Sequence, residues 1–390
     1  MSLTSTLDEL LAGGVPARVP GIVAGVTDAR RTRYLASFGR RGPDEEMVMT
    51  ADTVGWIASM TKPLTCTAAM QLVETGQLDL DAAAADTVPD IAGLGVLEGF
   101  GDDGAPRIRP PRRPVTLRDL LTHTSGLVYD IWNADILRYR ELTDTPGIIG
   151  CRNTSLMTPL VFDPGERWNY GIGIDWTGKM VEAASGTTLG AYLREHVFEP
   201  LGMHDTAFRI TGTMRRRLAR LYARDRDGTL ELEPDRELPQ EPEFEMGGGG
   251  LYGTVGDYLK FIRMILNRGQ SGSARVLQPE TVHAMSRNQI GPLRVSRLST
   301  AMLALSNDAE FFPEVPRTWS FAFMINEEQA PTGRSAGSLA WAGLANSYFW
   351  IDPARGIGGA WLTQVLPFVD REAFPLYLAF EKSVYDSMAE

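Results

Sequence analysis

The chain is predicted to be an α+β protein, one antiparallel sheet flanked by helices and drawn from both ends of the sequence, with a mostly helical insert between. Three observations predict it. Apolar or alternating runs at Gly21 to Thr27 and Tyr34 to Phe38, bounded by glycine and charged breaks, read as an early antiparallel strand pair. Trp319 to Ile325, Leu339 to Ile351 and Ile357 to Val365 are β-rich, and Asp352-Pro-Ala-Arg-Gly356 between the last two is a hairpin signal. Between these ends the spacing is mostly helical. The predicted division is a discontinuous sheet domain of residues 1–75 and 250–390, a helical domain of residues 76–249, and an active site between them.

The elements follow in order. After the first strand pair, Leu64, Ala68, Ala69, Leu72 and Val73 recur at helical spacing and predict a buried helix. Pro63 lacks an N–H, so that helix must start at about Ser59. From Leu78 to Pro114 the chain is rich in aspartate, glycine and proline, and residues 107–114, with four arginines and three prolines, predict a solvated surface loop. Leu117 to Gly126 predicts a short helix closed by Gly126. Its His123 has no visible acid or nucleophile beside it and is assigned a packing or hydrogen-bonding role. Tyr129, Trp132, Tyr139 and Met157 follow without a clean period, and this stretch serves either as the wall of an apolar pocket or as core.

Helices are predicted again at Ile172 to Ala184, Leu189 to Phe198 and Met214 to Leu221. An acidic, proline-rich connection runs from Asp225 to Glu245. Gly247 to Gly250 lacks the lysine and preceding strand of a phosphate loop and predicts a tight turn. Tyr258 to Leu266 returns to helix, and Tyr377, Phe380, Val384 and Met388 mark a last one.

Composition narrows the function. With 43% hydrophobic and 22% charged residues the chain is ordinarily globular, and its net charge of −11 argues against nucleic-acid or anionic-membrane partners. An uncharged or cationic small molecule is the expected ligand. No basic, apolar leader and no membrane-length apolar run is present, which predicts a soluble cytoplasmic protein. Cys66 and Cys151 are too few for a disulfide framework and are read as reduced. The four histidines, at 123, 196, 204 and 283, lack metal-ligand spacing, so neither metal nor other cofactor is expected.

The chemistry concentrates in Ser59-Met60-Thr61-Lys62. Residues three apart share a helix face, so the Lys62 amine can reach the Ser59 hydroxyl. A serine at a helix N-terminus also sits where an alkoxide and a tetrahedral oxyanion are favoured. Tyr170 is the next candidate. The turn at Pro164-Gly165 delivers it to the start of a helix, where a phenol of depressed pKa beside a lysine can act as general base. The third element is Trp341-Ala342-Gly343-Leu344, a predicted strand whose small residues permit close approach of a ligand. Its backbone N–H, with that of Ser59, would form an oxyanion hole.

These residues resemble the serine β-lactamase-like superfamily, particularly class C β-lactamases and family VIII carboxylesterases. The resemblance spans nearly the whole chain. It rests on Ser59-x-x-Lys62, Leu-Leu-Thr-His-Thr-Ser-Gly-Leu at 120–127, Pro-Gly-x-x-Trp-x-Tyr ending at Tyr170, Pro200-Leu-Gly-Met203, Gly-Gly-x-Gly-Leu ending at Leu251, and Trp341-x-Gly343. It implies the β-lactamase-like, penicillin-binding transpeptidase-like fold. It also implies a Ser59 acyl-enzyme, proton transfer shared by Lys62 and Tyr170, and an oxyanion held by the backbone of Ser59 and Leu344. Trp341, Gly343, Tyr129, Trp132 and Ile172 are the expected substrate-pocket residues.

Two departures shape the expected substrate. Tyr170 is followed by Gly171-Ile172 where β-lactamases usually have Tyr-x-Asn, and Trp341-Ala342-Gly343 replaces Lys-Thr-Gly. A β-lactam or D-alanyl peptide carboxylate thereby loses a charge-assisted contact of about 1.5–3 kcal/mol. The tryptophan looks like the family VIII esterases. A serine carboxylesterase acting on small neutral esters is therefore the first expectation. An acyltransferase is the alternative, since Tyr-Gly-Ile-Gly-Ile-Asp-Trp at 170–176 also looks like the lovastatin-type transesterases of the superfamily. A β-lactamase or D-peptidase, and an idle penicillin-binding-like protein, are weaker alternatives. Gly333-Arg-Ser335-Ala-Gly337 matches the nucleophile elbow of α/β-hydrolases, but a strand is predicted after it and no histidine follows His283.

Overall fold

The computed structural model describes residues 3–234 and 236–389. Two strands near the start, β1 (Gly21–Asp28) and β2 (Thr32–Gly39), join five from the last third: β3 (Arg317–Trp319), β4 (Met324–Asn326), β5 (Leu339–Gly343), β6 (Ser347–Asp352) and β7 (Ile357–Leu362). They form one antiparallel seven-stranded sheet in the order β3-β4-β5-β6-β7-β1-β2. The two ends of the chain meet where β1 pairs with β7, from Val23 opposite Leu362 to Asp28 opposite Ile357.

Helices cover both faces. On one side α1 (Leu3–Ala12) and the C-terminal helix, Ala373–Ala389, bury Leu7, Leu11, Tyr377, Phe380 and Val384. Phe380 packs its ring 5.9 Å from Trp350 and 5.8 Å from Trp361. On the other side the helix Val255–Leu266 lies close to the sheet because Gly25 and Gly358 carry no side chain. A Cβ on Gly25 would come within 2.7 Å of Leu259, and one on Gly358 within 2.6 Å of Ile262.

Several expectations are corrected. Leu339 to Ile351 is two strands, not one. Asn346, with φ of 59°, turns the chain between β5 and β6, and its side chain donates to the carbonyls of Val365 and Pro367 at 2.8 Å each. The short helix α2 (Leu117–Thr122) is closed by His123 and not by Gly126: His123 is the left-handed residue, with φ of 58°. Met214 to Leu221 is not a helix. Only Gly212–Arg215 is helical, because Val54 captures the following backbone through Val54 N to Arg217 O and Ala219 N to Val54 O, and Leu221–Arg224 then forms a strand.

Residues 107–114 lie at the surface but are not free. Pro106–Arg109 pairs with Val96–Phe100, Arg109 holds buried Asp163 at 2.7 Å, and Arg113 holds Asp119 at 2.6 Å. Among the described residues no helix is long and apolar enough to cross a membrane.

Candidate active site

Ser59 sits in a 3₁₀ turn, Ala58–Thr61, that runs directly into the α-helix Lys62–Glu74. The α-helix proper thus begins at Lys62, three residues later than predicted, with Pro63 in its first turn. Ala58, immediately before the serine, has φ of 44°, a conformation an L-residue adopts only when its surroundings impose it.

Those surroundings are visible. Ile57 N donates to Leu251 O, Tyr258 donates to the carbonyl of Met60 at 3.0 Å, and the Gln364 side chain brackets both backbone groups of Trp56. Gly343 presses against the carbonyl of Ile57, where a Cβ would lie 2.3 Å from the oxygen.

Lys62 is 1% exposed. Its Nζ lies 3.2 Å from Ser59 Oγ and donates to Tyr129 Oη at 2.9 Å and to the carbonyl of Gly248 at 2.6 Å. Asp175, in the helix Gly173–Ser185, closes the ring. It accepts the Gly248 N–H on Oδ1 at 2.8 Å and faces the Tyr129 hydroxyl with Oδ2 at 3.4 Å. Tyr170 stands across from the lysine, whose Nζ is 4.6 Å from the ring centroid. The Tyr170 phenol is hydrogen-bonded to Ser59 and receives the indole N–H of Trp341 at 3.0 Å.

Burial sets the proton affinities. It pushes the Lys62 ammonium down, against the opposing pull of the Asp175 charge, and pushes the Asp175 carboxyl up. Tyr170 is also pushed up, because burial outweighs the bonds from Ser59 and Trp341. This corrects the expectation of a depressed phenol. Burial thus favours the protonated phenol of Tyr170 and the uncharged amine of Lys62.

The cleft beside Ser59 is lined by Trp56, Ala58, Tyr129, Ile131, Trp132, Ile148, Ile149, Met246, Gly248, Gly249 and Leu344. Of the predicted pocket residues, Tyr129 and Trp132 face it. Trp341 does not: its ring packs behind Tyr170 at 4.8 Å and against Trp319 at 4.7 Å. Gly343 lies under the Ile57 carbonyl, and Ile172 is buried ahead of the helix that carries Asp175. Leu344 comes to the cleft because the chain turns just after β5. Ser335 of the decoy motif lies in the loop before β5, with its N–H donated to Asp352.

Sequence reasoning missed Asp175 and Gly248. An acid amid the apolar Gly-Ile-Asp-Trp start of a helix was the available signal for the first, whereas a backbone carbonyl leaves no mark in the sequence. His123 is buried with its Nδ1 accepting the Gly171 N–H at 3.3 Å, and burial holds its pKa well down. Cys66, one turn beyond Lys62, is a buried thiol that burial pushes up, so it stays uncharged. Among the described residues no group of three or more His, Cys, Asp or Glu could hold a metal ion.

A serine followed one turn later by a buried lysine, with a tyrosine opposite and a strand alongside, is the arrangement of the serine–lysine penicillin-recognising class. The chain belongs to the Beta-lactamase family, whose model matches residues 7–381. It is 31% identical over 388 residues to monacolin J acid methylbutanoyltransferase of Aspergillus terreus, covering 94% of this chain and 92% of that protein. It is 30% identical over 383 residues to lovastatin esterase of Penicillium rubens, covering 94% of each. Among solved structures it is similar to a simvastatin synthase (LovD) mutant from Aspergillus terreus, with a TM-score of 0.87, 32% identity and coverage of 100% of this chain and 96% of that one.

Proposed function

We propose that this protein is a serine acyltransferase that moves a small uncharged acyl group from an ester to an alcohol through a Ser59 acyl-enzyme, with hydrolysis as the branch in which water takes the alcohol's place. The residue pattern ranks hydrolysis first; the relatives favour transfer at least as well, since a methylbutanoyltransferase and an esterase match at nearly equal identity.

One observation carries the chemistry. Neutral Lys62 has two N–H groups, and Gly248 O and Tyr129 Oη receive them, which leaves its lone pair facing Ser59 Oγ at 3.2 Å. The amine takes the serine proton as Oγ attacks the ester carbonyl. The developing oxyanion is assigned to the N–H groups of Ser59 and Leu344. As the C–O bond of the tetrahedral intermediate breaks, the Tyr170 phenol protonates the leaving alkoxide and is reprotonated from Lys62. Acceptor alcohol or water then repeats the sequence in reverse, with Ser59 as leaving group. No metal or cofactor enters.

The cleft supports an uncharged acyl group, since among the described residues no charged side chain lines it. A β-lactam carboxylate would find no cation there. The test is intact-protein mass after p-nitrophenyl butyrate, followed by chromatography of products with and without an acceptor alcohol. An acyl adduct absent from Ser59→Ala and a new ester formed at the expense of free acid are expected. Equal labelling of Ser59→Ala sinks the nucleophile assignment, and free acid alone, at any acceptor concentration, reduces the function to hydrolysis.

A further inference from the structure

Asp175 is fully buried and does no acyl chemistry itself, yet it closes a four-membered hydrogen-bonded circuit with the active-site lysine. The circuit runs from Lys62 Nζ to Gly248 O, through that residue's peptide N–H to Asp175 Oδ1, and from Asp175 Oδ2 through the Tyr129 hydroxyl back to Nζ. Both arms point the same way: each aims a negative dipole end or a hydroxyl oxygen at the amine. We propose that Asp175 is the buried counter-ion of Lys62, a positioning residue that, through Tyr129 and the backbone N–H and carbonyl of Gly248, holds the charge the lysine acquires when Ser59 gives up its proton. This rests on the acyl-enzyme reading of the site.

The balance of charge makes the case. When Ser59 Oγ bonds to the acyl carbon, its proton passes to Lys62, and a neutral amine becomes an ammonium while 1% exposed. An isolated buried ammonium is strongly disfavoured unless paired and hydrogen-bonded. The other titratable groups around the pair cannot supply the anion. Cys66 on the same helix, Cys151, Tyr129 and Tyr170 are all held protonated by burial, and His123 is held neutral. Asp175 is the acid left to carry negative charge. The carboxylate also holds the Gly247 to Gly250 turn through the Gly248 N–H at 2.8 Å, and a Cβ on Gly248 would strike Asp175 Oδ2 at 2.5 Å and Tyr129 Oη at 2.7 Å. The turn read from sequence as a simple reversal is thus the second arm of the circuit.

The sign of the effect follows. The Asp175 charge raises the proton affinity of Lys62. Asp175→Asn keeps the acceptor for Gly248 N–H and removes the charge, so Lys62 loses its proton at lower pH. The ascending limb of kcat/KM for p-nitrophenyl butyrate, which reports the base of the free enzyme, should move to lower pH by about one unit or more. The plateau should fall, because a weaker base accepts the serine proton less readily. Tyr129→Phe cuts one arm and should move the limb in the same direction by less.

A fall in the plateau with the limb unmoved in Asp175→Asn overturns the proposal, since loosened packing lowers rate without moving a pKa. Should that variant fail to fold, an unmoved limb in Tyr129→Phe overturns it equally. A parent protein whose Ser59 takes no acyl group overturns it by a different route, one that mass spectrometry distinguishes from an unmoved limb.

Discussion

Trp341 donates its indole N–H to the phenol oxygen of Tyr170 at 3.0 Å inside the protein. An indole N–H can only donate, so it occupies an acceptor position on the phenol oxygen. Trp341 therefore orients the phenol without adding a charge.

Replacing Trp341 with Phe keeps an aromatic ring against Trp319 and Phe311 and removes the donor. Loss of one buried hydrogen bond that strengthens as Tyr170 gives up its proton should lower kcat about ten-fold with KM little changed. Steady-state kinetics on an alkyl ester, whose leaving alcohol needs the Tyr170 proton, checks this. A change confined to KM would instead make Trp341 a substrate contact.

Tyr170→Phe removes the group proposed to protonate the leaving alkoxide. Turnover should drop by about 10²-fold. Because the phenol is held protonated and Lys62 is the base, the ascending pH limb should stay where it is. A leaving group that needs no proton, such as p-nitrophenol, should suffer less than an alkyl alcohol, and equal losses on both would remove the acid role.

His123 brackets Tyr170 from both sides. Its carbonyl receives the N–H of Asn169 at 2.9 Å and its Nδ1 the N–H of Gly171 at 3.3 Å, while its ring packs 4.8 Å from that of Tyr170. Asn tolerates the left-handed backbone at this position and offers an acceptor, whereas Leu does neither. His123→Leu should lower kcat about ten-fold by loosening Tyr170, and should cost about 1–2 kcal/mol of stability in denaturant unfolding. His123→Asn should restore most of kcat. No rescue by Asn would reduce the residue to packing.

How far these relationships could be read beforehand depends on the chemistry of each. The sheet was legible because both its ends alternate or run apolar, and the meeting of Ser59, Lys62 and Tyr170 was expected because each is a side chain within a sequence motif. The role of Gly248 was not, since its carbonyl acts and its side chain is absent. Asn346 and His123 adopt left-handed conformations that glycine usually takes, so the glycine at 126 drew the helix end three residues too far. Trp341 was expected to line the pocket from the resemblance carried by Trp341-x-Gly343, but a motif does not say that the ring packs behind Tyr170.

The segment that delivers Tyr170 is anchored by Asp163, which should give the protein a specific acid sensitivity. The buried Asp163 carboxylate accepts from Arg109 at 3.0 and 2.7 Å and from the backbone N–H of Arg112 at 2.8 Å. These bonds lower its pKa from 3.8 to about 2, the arginine side chain contributing most. Between those two values the unfolded chain binds the proton and the folded one does not, so stability rises with pH there. The contribution is complete above the unfolded value and is lost as pH falls toward about 2. Thermal unfolding followed by circular dichroism should show a midpoint that drops through this window. In Asp163→Asn the drop should be shallower, because the group that titrates is gone while an acceptor for Arg109 remains. The same variant should be less stable than the parent at neutral pH, where the carboxylate is fully charged. A parent-like slope in Asp163→Asn would mean that other carboxylates set the acid limit and that the Pro164-Gly165 turn holds without this ion pair.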